Sequence, residues 1–162
     1  MKEIELKSTV WLAQYDELKE EDRSLVDLAK EATHRAYAPY SHFHVGAALR
    51  TEGGHLVTGN NQENAAYTNG ICAERNTIFA AQNLYPDEAI VSLAIAAFND
   101  NDYTISPVSP CGACRQVMVE IEARYKKPIR ILLYGKNGTY ILEKGVKTLM
   151  PLQFDPDALV DF

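Results

Sequence analysis

The segment SPCGACRQ, residues 109–116, holds Cys111 and Cys114, and the remaining cysteine, Cys72, stands 39 positions earlier. Thiols at i and i+3 leave one face of a helical turn. Pro110, just before Cys111, marks the start of that helix, where its missing N–H costs nothing. Cys72 lies where a second helical pattern begins, ICAERNTIFAAQNL. Helix N-termini favour thiolate over thiol. Three converging thiolates repel one another unless a cation sits between them. Zn²⁺ suits sulfur, and in catalytic sites it takes three protein ligands and leaves a position for water. Glu74, two residues after Cys72, is spaced to sit beside that position without binding the ion, and to carry protons there.

Other uses of these residues fit less well. A redox C-x-x-C pair needs neither Cys72 nor Glu74. A structural zinc site needs a fourth ligand, yet His34, His42, His44 and His55 all lie outside metal-ligand spacing. A lone glutamate in a first turn is explained by the helix dipole, but not this whole set. An odd number of cysteines excludes a complete disulfide framework, and clustered thiols in a reducing compartment indicate metal binding or catalysis.

The 162-residue chain is long enough for one domain with a sizeable core. We expect a single domain over residues 1–162, with residues 1–18 as an N-terminal extension of unknown role. The formal net charge of -6 gives no help to a phosphate backbone, so a nucleic-acid partner is not expected. A small neutral or cationic substrate fits better. No apolar run approaches bilayer length, and MKEIELKSTV lacks the apolar core of a signal peptide. A cytoplasmic location without membrane contact is expected.

The elements that must position these side chains can be read from periodicity. Leu25, Leu28, Ala29, Ala32 and Ala36 form one face of a helix over residues 23–38, ended by Pro39. FHVGAALRT and HLVTG read as strands around the turn EGG. NNQENAAYTNG is a polar loop before the second helix, and AIVSLAIAAF is a central strand covered on both faces. CGACRQVMVEIEARY is the third helix, and IRILLYG and TYILE form a hairpin through Asn137-Gly138. DPDALV is a short C-terminal helix. The order α-β-β-α-β-α-β-β-α makes an α/β sheet of about five strands, the last two antiparallel.

CAERNTI and PCGACRQV, taken with AYAPYSHFHVGAAL and NNQENAAY, closely resemble the cytidine deaminase family, in its small three-cysteine form that acts on free nucleosides. The resemblance spans about residues 22–154. It implies a three-layer fold, a mixed sheet with helices on both faces. It implies zinc-dependent hydrolysis of cytidine and deoxycytidine to uridine and deoxyuridine, releasing ammonia in pyrimidine salvage. Carried over by position, Cys72, Cys111 and Cys114 bind zinc and Glu74 shuttles protons. Phe43 packs on the pyrimidine, Asn61 and Glu63 bind the ribose hydroxyls, and Arg75 donates to a zinc-bound thiolate. The resemblance also implies a homotetramer in which Phe154 reaches a neighbouring site. Three thiolates around a divalent cation leave a net negative charge, which Arg75, Arg115 and the helix dipoles are expected to temper. A deaminase of nucleic acids is disfavoured by the acidic charge and by the antiparallel final hairpin.

Overall fold

A computed structural model describes residues 1–159, so the last residue of the DALV segment assigned to a terminal helix lies outside the described residues. Helix α1 covers Glu20–Thr33, α2 Ala73–Leu84 and α3 Gly112–Tyr125. The strands are β1 Trp11–Ala13, β2 His44–Thr51, β3 Leu56–Asn60, β4 Ile90–Phe98, β5 Arg130–Gly135 and β6 Gly138–Leu142. They form one sheet in the order β1-β6-β5-β4-β2-β3. β4 and β5 are parallel, joined by α3, and every other neighbouring pair is antiparallel. The hairpin of β5 and β6 closes through Lys136 and Asn137, and Gly138 follows at φ +128°, a backbone that a side chain would strain.

The sheet has six strands rather than about five. The extra strand comes from the stretch read as an extension: Trp11 pairs with Ile141 and Ala13 with Thr139. Leu18 is buried just beyond it. α1 starts and stops earlier than its apolar face implied. Glu20, Glu21 and Asp22 fill its first turn, where the dipole favours carboxylates. The helix ends at Thr33, and Tyr37 turns aside to bridge Gln62. Its buried face includes Val26 and Thr33, while Leu28 and Ala36 are only half-buried. Among the described residues of the C-terminal DPDALV segment, Pro156–Leu159 form a 3₁₀ turn.

Period-two alternation in the strands divides the core into two layers. Leu49, Leu93, Ile95, Ile131 and Leu133 face Ile78, Ala81, Met118 and Val119 of α2 and α3. Ala48, Ala94, Ala96 and Leu132 face Leu25, Val26 and Ala29 of α1. The small alanines on the second face let α1 lie close to the sheet. Buried Asp22 of α1 ties it to β5, accepting from Arg130 Nη2 at 2.7 Å.

Gly46 is where β2 and α1 come closest. A methyl there would run into the Ala29 carbonyl oxygen and lie 2.6 Å from the Thr33 nitrogen, both rigid helix backbone. Gly46→Ala is therefore expected to destabilise the fold by about 1–3 kcal/mol, as overpacking of a tight core does. Urea denaturation checks it, and a midpoint equal to wild type would contradict this packing.

Candidate active site

Cys72 is the N-cap residue of α2 and Cys111 the N-cap of α3, and neither side chain is used to cap its own helix. Both sulfurs thus stay free to turn outward over their helix starts. Cys114 sits one turn into α3 and is buried. The Cys72 and Cys111 sulfurs are 3.7 Å apart, and Cys111 and Cys114 are 3.4 Å apart. The three Sγ atoms lie within 4.8 Å of one another, and they are the only such cluster of metal-ligating groups among the described residues. Tetrahedral zinc with sulfurs at about 2.3 Å sets neighbouring sulfurs roughly 3.8 Å apart. The donor set and its spacing therefore fit Zn²⁺, with three ligands and an open fourth position.

The Cys72 thiol is pulled down to about 5, chiefly by hydrogen bonding from Cys114, with Cys111 and Arg75 adding to this and burial opposing it. Cys114 is pushed up, first by the hydrogen bond to Cys72 and then by burial. Arg75, in the first turn of α2, stands close enough for its guanidinium to help hold the Cys72 thiol down, and its buried Nε has no hydrogen-bond partner. That is the neighbourhood expected of a residue that draws charge from a thiolate. Arg115 does not share this duty. Its Nε donates to the Pro110 carbonyl at 2.8 Å and its Nη1 to the Leu149 carbonyl at 3.0 Å, tying the loop before α3 to the C-terminal segment.

Glu74 is 4% exposed. Burial pushes its carboxyl up, and the Cys72 negative charge raises it further, while its own backbone N–H and Cys114 pull it back. A buried acid inclined to hold a proton, within the electrostatic reach of Cys72, is suited to proton transfer.

Beside Cys72 and Arg75 opens a cleft of about 340 Å³ whose walls include Asn61, Glu63, Tyr40 and Tyr67. Its size suits a small molecule. Glu63 Oε2 accepts from the backbone N–H groups of Tyr40 at 2.9 Å and Ser41 at 3.3 Å. Hydrogen bonding from the Ser41 side chain, then from those N–H groups, holds Glu63 below the usual carboxylate value. Asn61 is partly occupied: its Oδ1 accepts from Val45 N at 2.8 Å and its Nδ2 donates to the Phe43 carbonyl at 3.0 Å. Phe43 does not itself line the cleft and joins it through that bond to Asn61. Phe154 lies apart from the cleft on the C-terminal tail, 59% exposed, its carbonyl accepting from Gln116 of α3 at 2.8 Å.

Tyr40 and Tyr67 were not anticipated as cleft walls. Their rings meet edge to face with centroids 6.0 Å apart. The signal was an aromatic residue within each of two polar loops, PYSHF and NAAYTNG.

The family model described as "Cytidine and deoxycytidylate deaminase zinc-binding region" matches residues 19–127. A cytidine deaminase of Halalkalibacterium halodurans is 46% identical over 137 residues, covering 85% of this chain and 96% of the relative. A blasticidin-S deaminase of Bacillus cereus is 30% identical over 139 residues, 85% of this chain and 94% of the relative. The crystal structure of cytidine deaminase from Burkholderia pseudomallei is similar with a TM-score of 0.69 at 35% identity, covering 85% of this chain and all of that one. A family match through both cysteine motifs, with relatives aligned nearly end to end, leaves one assignment: this chain belongs to the cytidine and deoxycytidylate deaminases, a family of zinc-binding enzymes.

Proposed function

We propose that this protein hydrolyses cytidine and deoxycytidine to uridine and deoxyuridine, releasing ammonia, within a single domain and in pyrimidine salvage in the cytoplasm. The observation that carries this reading is the meeting of three sulfurs at two helix starts, beside buried Glu74 and the cleft holding Asn61 and Glu63. Identity supports the substrate class, being 46% to a cytidine deaminase and 30% to a blasticidin-S deaminase. The antiparallel pairing of β5 and β6 and the net charge of -6 support a free nucleoside over a polymer. No helix among the described residues is long and apolar enough to cross a membrane.

Cys72, Cys111 and Cys114 would hold Zn²⁺, which would acidify a bound water to a pKa of roughly 7, as in well-known zinc sites. Glu74 takes a proton from the attacking water and delivers it to N3 of the base as C4 is attacked. The carboxylate then takes the second proton from the new 4-hydroxyl and passes it to the amine; C4=O forms as the C4–N bond breaks, and ammonia leaves. Its burial excludes bulk water from these transfers and favours the protonated state between them. Arg75, whose guanidinium helps hold the Cys72 thiol down, would draw charge from the metal-bound sulfurs.

Glu63 and Asn61 orient the sugar by hydrogen bonds to its hydroxyls. Glu63 Oε2 is held by the Tyr40 and Ser41 N–H groups, and ionised Glu63 still has acceptor sites on its other oxygen. Phe43 packs against the base. Exposed Phe79, Leu84, Leu152 and Phe154 supply apolar surface for assembly into a homotetramer, with Phe154 reaching a neighbouring site.

The direct test measures ammonia released from cytidine, deoxycytidine, blasticidin S and a cytosine-containing single-stranded oligonucleotide. Turnover of the two free nucleosides, at least about a hundredfold above the oligonucleotide, is expected from the cost of holding a polymer on an acidic surface. Preference for the oligonucleotide or for blasticidin S would refute the substrate class.

A further inference from the structure

We propose that Asp100 is a positioning residue for the pyrimidine site: its carboxylate clamps His42 and His44 and so fixes the backbone that presents Phe43. The proposal rests on the reading of Phe43 as the residue that packs on the base. His42 Nδ1 lies 2.9 Å from Asp100 Oδ2, and His44 Nε2 lies 2.7 Å from Asp100 Oδ1. One carboxylate therefore spends each oxygen on one of the two residues flanking Phe43.

The backbone around this clamp is strained. His42 adopts φ +54° and Asp100 φ +63°, and with Lys126 they are the only non-glycine residues with positive φ among those described. Such conformations persist only where the surroundings over-determine them, and they gather at ligand clamps. Here each strained residue is one end of a single side-chain contact, His42 Nδ1 to Asp100 Oδ2. Asp100 stands two positions beyond Phe98, the residue that pairs with His44 across β2 and β4. The His44 ring also packs edge-on against Phe98, with centroids 6.1 Å apart.

The other side of Phe43 is held just as closely. Its N–H donates to Ser41 Oγ at 3.1 Å and its carbonyl accepts from Asn61 Nδ2 at 3.0 Å. Phe43 is thus bracketed, by the cleft residue Asn61 on its own backbone and by Asp100 through its two neighbours. The clamp touches neither the cysteines nor Glu74, so it acts on how the base is received and not on proton transfer. Removing it should weaken substrate binding and leave the chemical step alone.

The test compares kcat and KM for cytidine in wild type, Asp100→Ala, Asp100→Asn, His44→Ala and Phe43→Leu, with zinc content and Tm for each. Asp100→Ala and His44→Ala are expected to raise KM about fivefold to tenfold with kcat within about twofold and zinc unchanged. Asp100→Asn, which keeps a side chain able to bond both rings, should restore KM to within about twofold of wild type. A purely structural role would instead lower Tm and kcat together and leave KM in place, which overturns the proposal. If Phe43→Leu raises KM while Asp100→Ala does not, the clamp is wrong and the reading of Phe43 survives. If Phe43→Leu leaves KM unchanged, that reading falls and the clamp falls with it.

Discussion

Glu74→Gln is expected to lower kcat for cytidine by about 10²–10⁴-fold, the usual worth of a positioned general acid–base, while zinc stays at one ion per chain. Glutamine matches the shape of glutamate and keeps a hydrogen-bonding group, so the packing at this buried position should survive. What it cannot do is take up a proton and return it. The three sulfurs come from Cys72, Cys111 and Cys114 and do not include this side chain, so the metal should remain. Two readings are needed together: steady-state rates, and zinc measured by elemental analysis after dialysis. A variant that kept both zinc and near-wild-type turnover would remove Glu74 from the mechanism. One that lost zinc would make Glu74 a ligand.

The second large effect concerns the sulfurs. Cys72→Ser replaces one of the three sulfur donors, a thiol held well below its usual range, with a hydroxyl that does not ionise at neutral pH. Structural zinc sites bind with roughly 10–16 kcal/mol. One ligand's share is therefore about 3–4 kcal/mol, or two to three decades of affinity at 1.4 kcal/mol per decade. Dialysed Cys72→Ser should hold well under one zinc per chain and should show no turnover above background. Chelating the wild type should give the same loss, reversed by adding Zn²⁺.

The fold should register this loss as well. A ligand present at a thousand times its Kd stabilises the native state by about 4 kcal/mol. In a domain of this size that corresponds to a Tm shift of roughly 8–16 °C. Because Cys72 and Cys111 start two different helices, the metal braces α2 against α3 as well as serving chemistry. Full zinc occupancy and unchanged Tm in Cys72→Ser would exclude the sulfur cluster as the metal centre.

Much of this molecule could be read along the chain. The helix carrying Cys111 and Cys114 begins and ends within a residue of its apolar pattern, since Pro110 and Pro128 punctuate it. β4 was legible as a central strand because both of its faces are apolar, and both are covered by helices. The start of α1 was not, because its first turn is acidic and shows no apolar period. KEIELKSTVWL has some strand-like alternation, but the acidic stretch after it gives no element to pair with, so β1 was not legible as part of the sheet. Its residues become a strand only by pairing with β6, between Trp11 and Ile141. The partner of Arg115 was equally hidden, since sulfur and carbonyl oxygen both accept from a guanidinium, and the Leu149 carbonyl lies 34 residues away.

The sequence by itself determined the chemical inventory: which residues can ionise or bind a metal, and which of them stand at helix starts, where backbone N–H groups favour negative sulfur. Those are local properties of residue type and spacing. The tertiary structure alone decided that Cys72 and Cys111 meet. Their separation of 3.7 Å follows from packing α2 and α3 on the same face of a sheet whose β4 and β5 run parallel. It also decided that Asn61 spends its amide on the backbone around Phe43, and that two tyrosines from separate loops wall the cleft. Contacts between residues far apart in the chain depend on the register of strands and the packing of whole faces, and no local pattern encodes either.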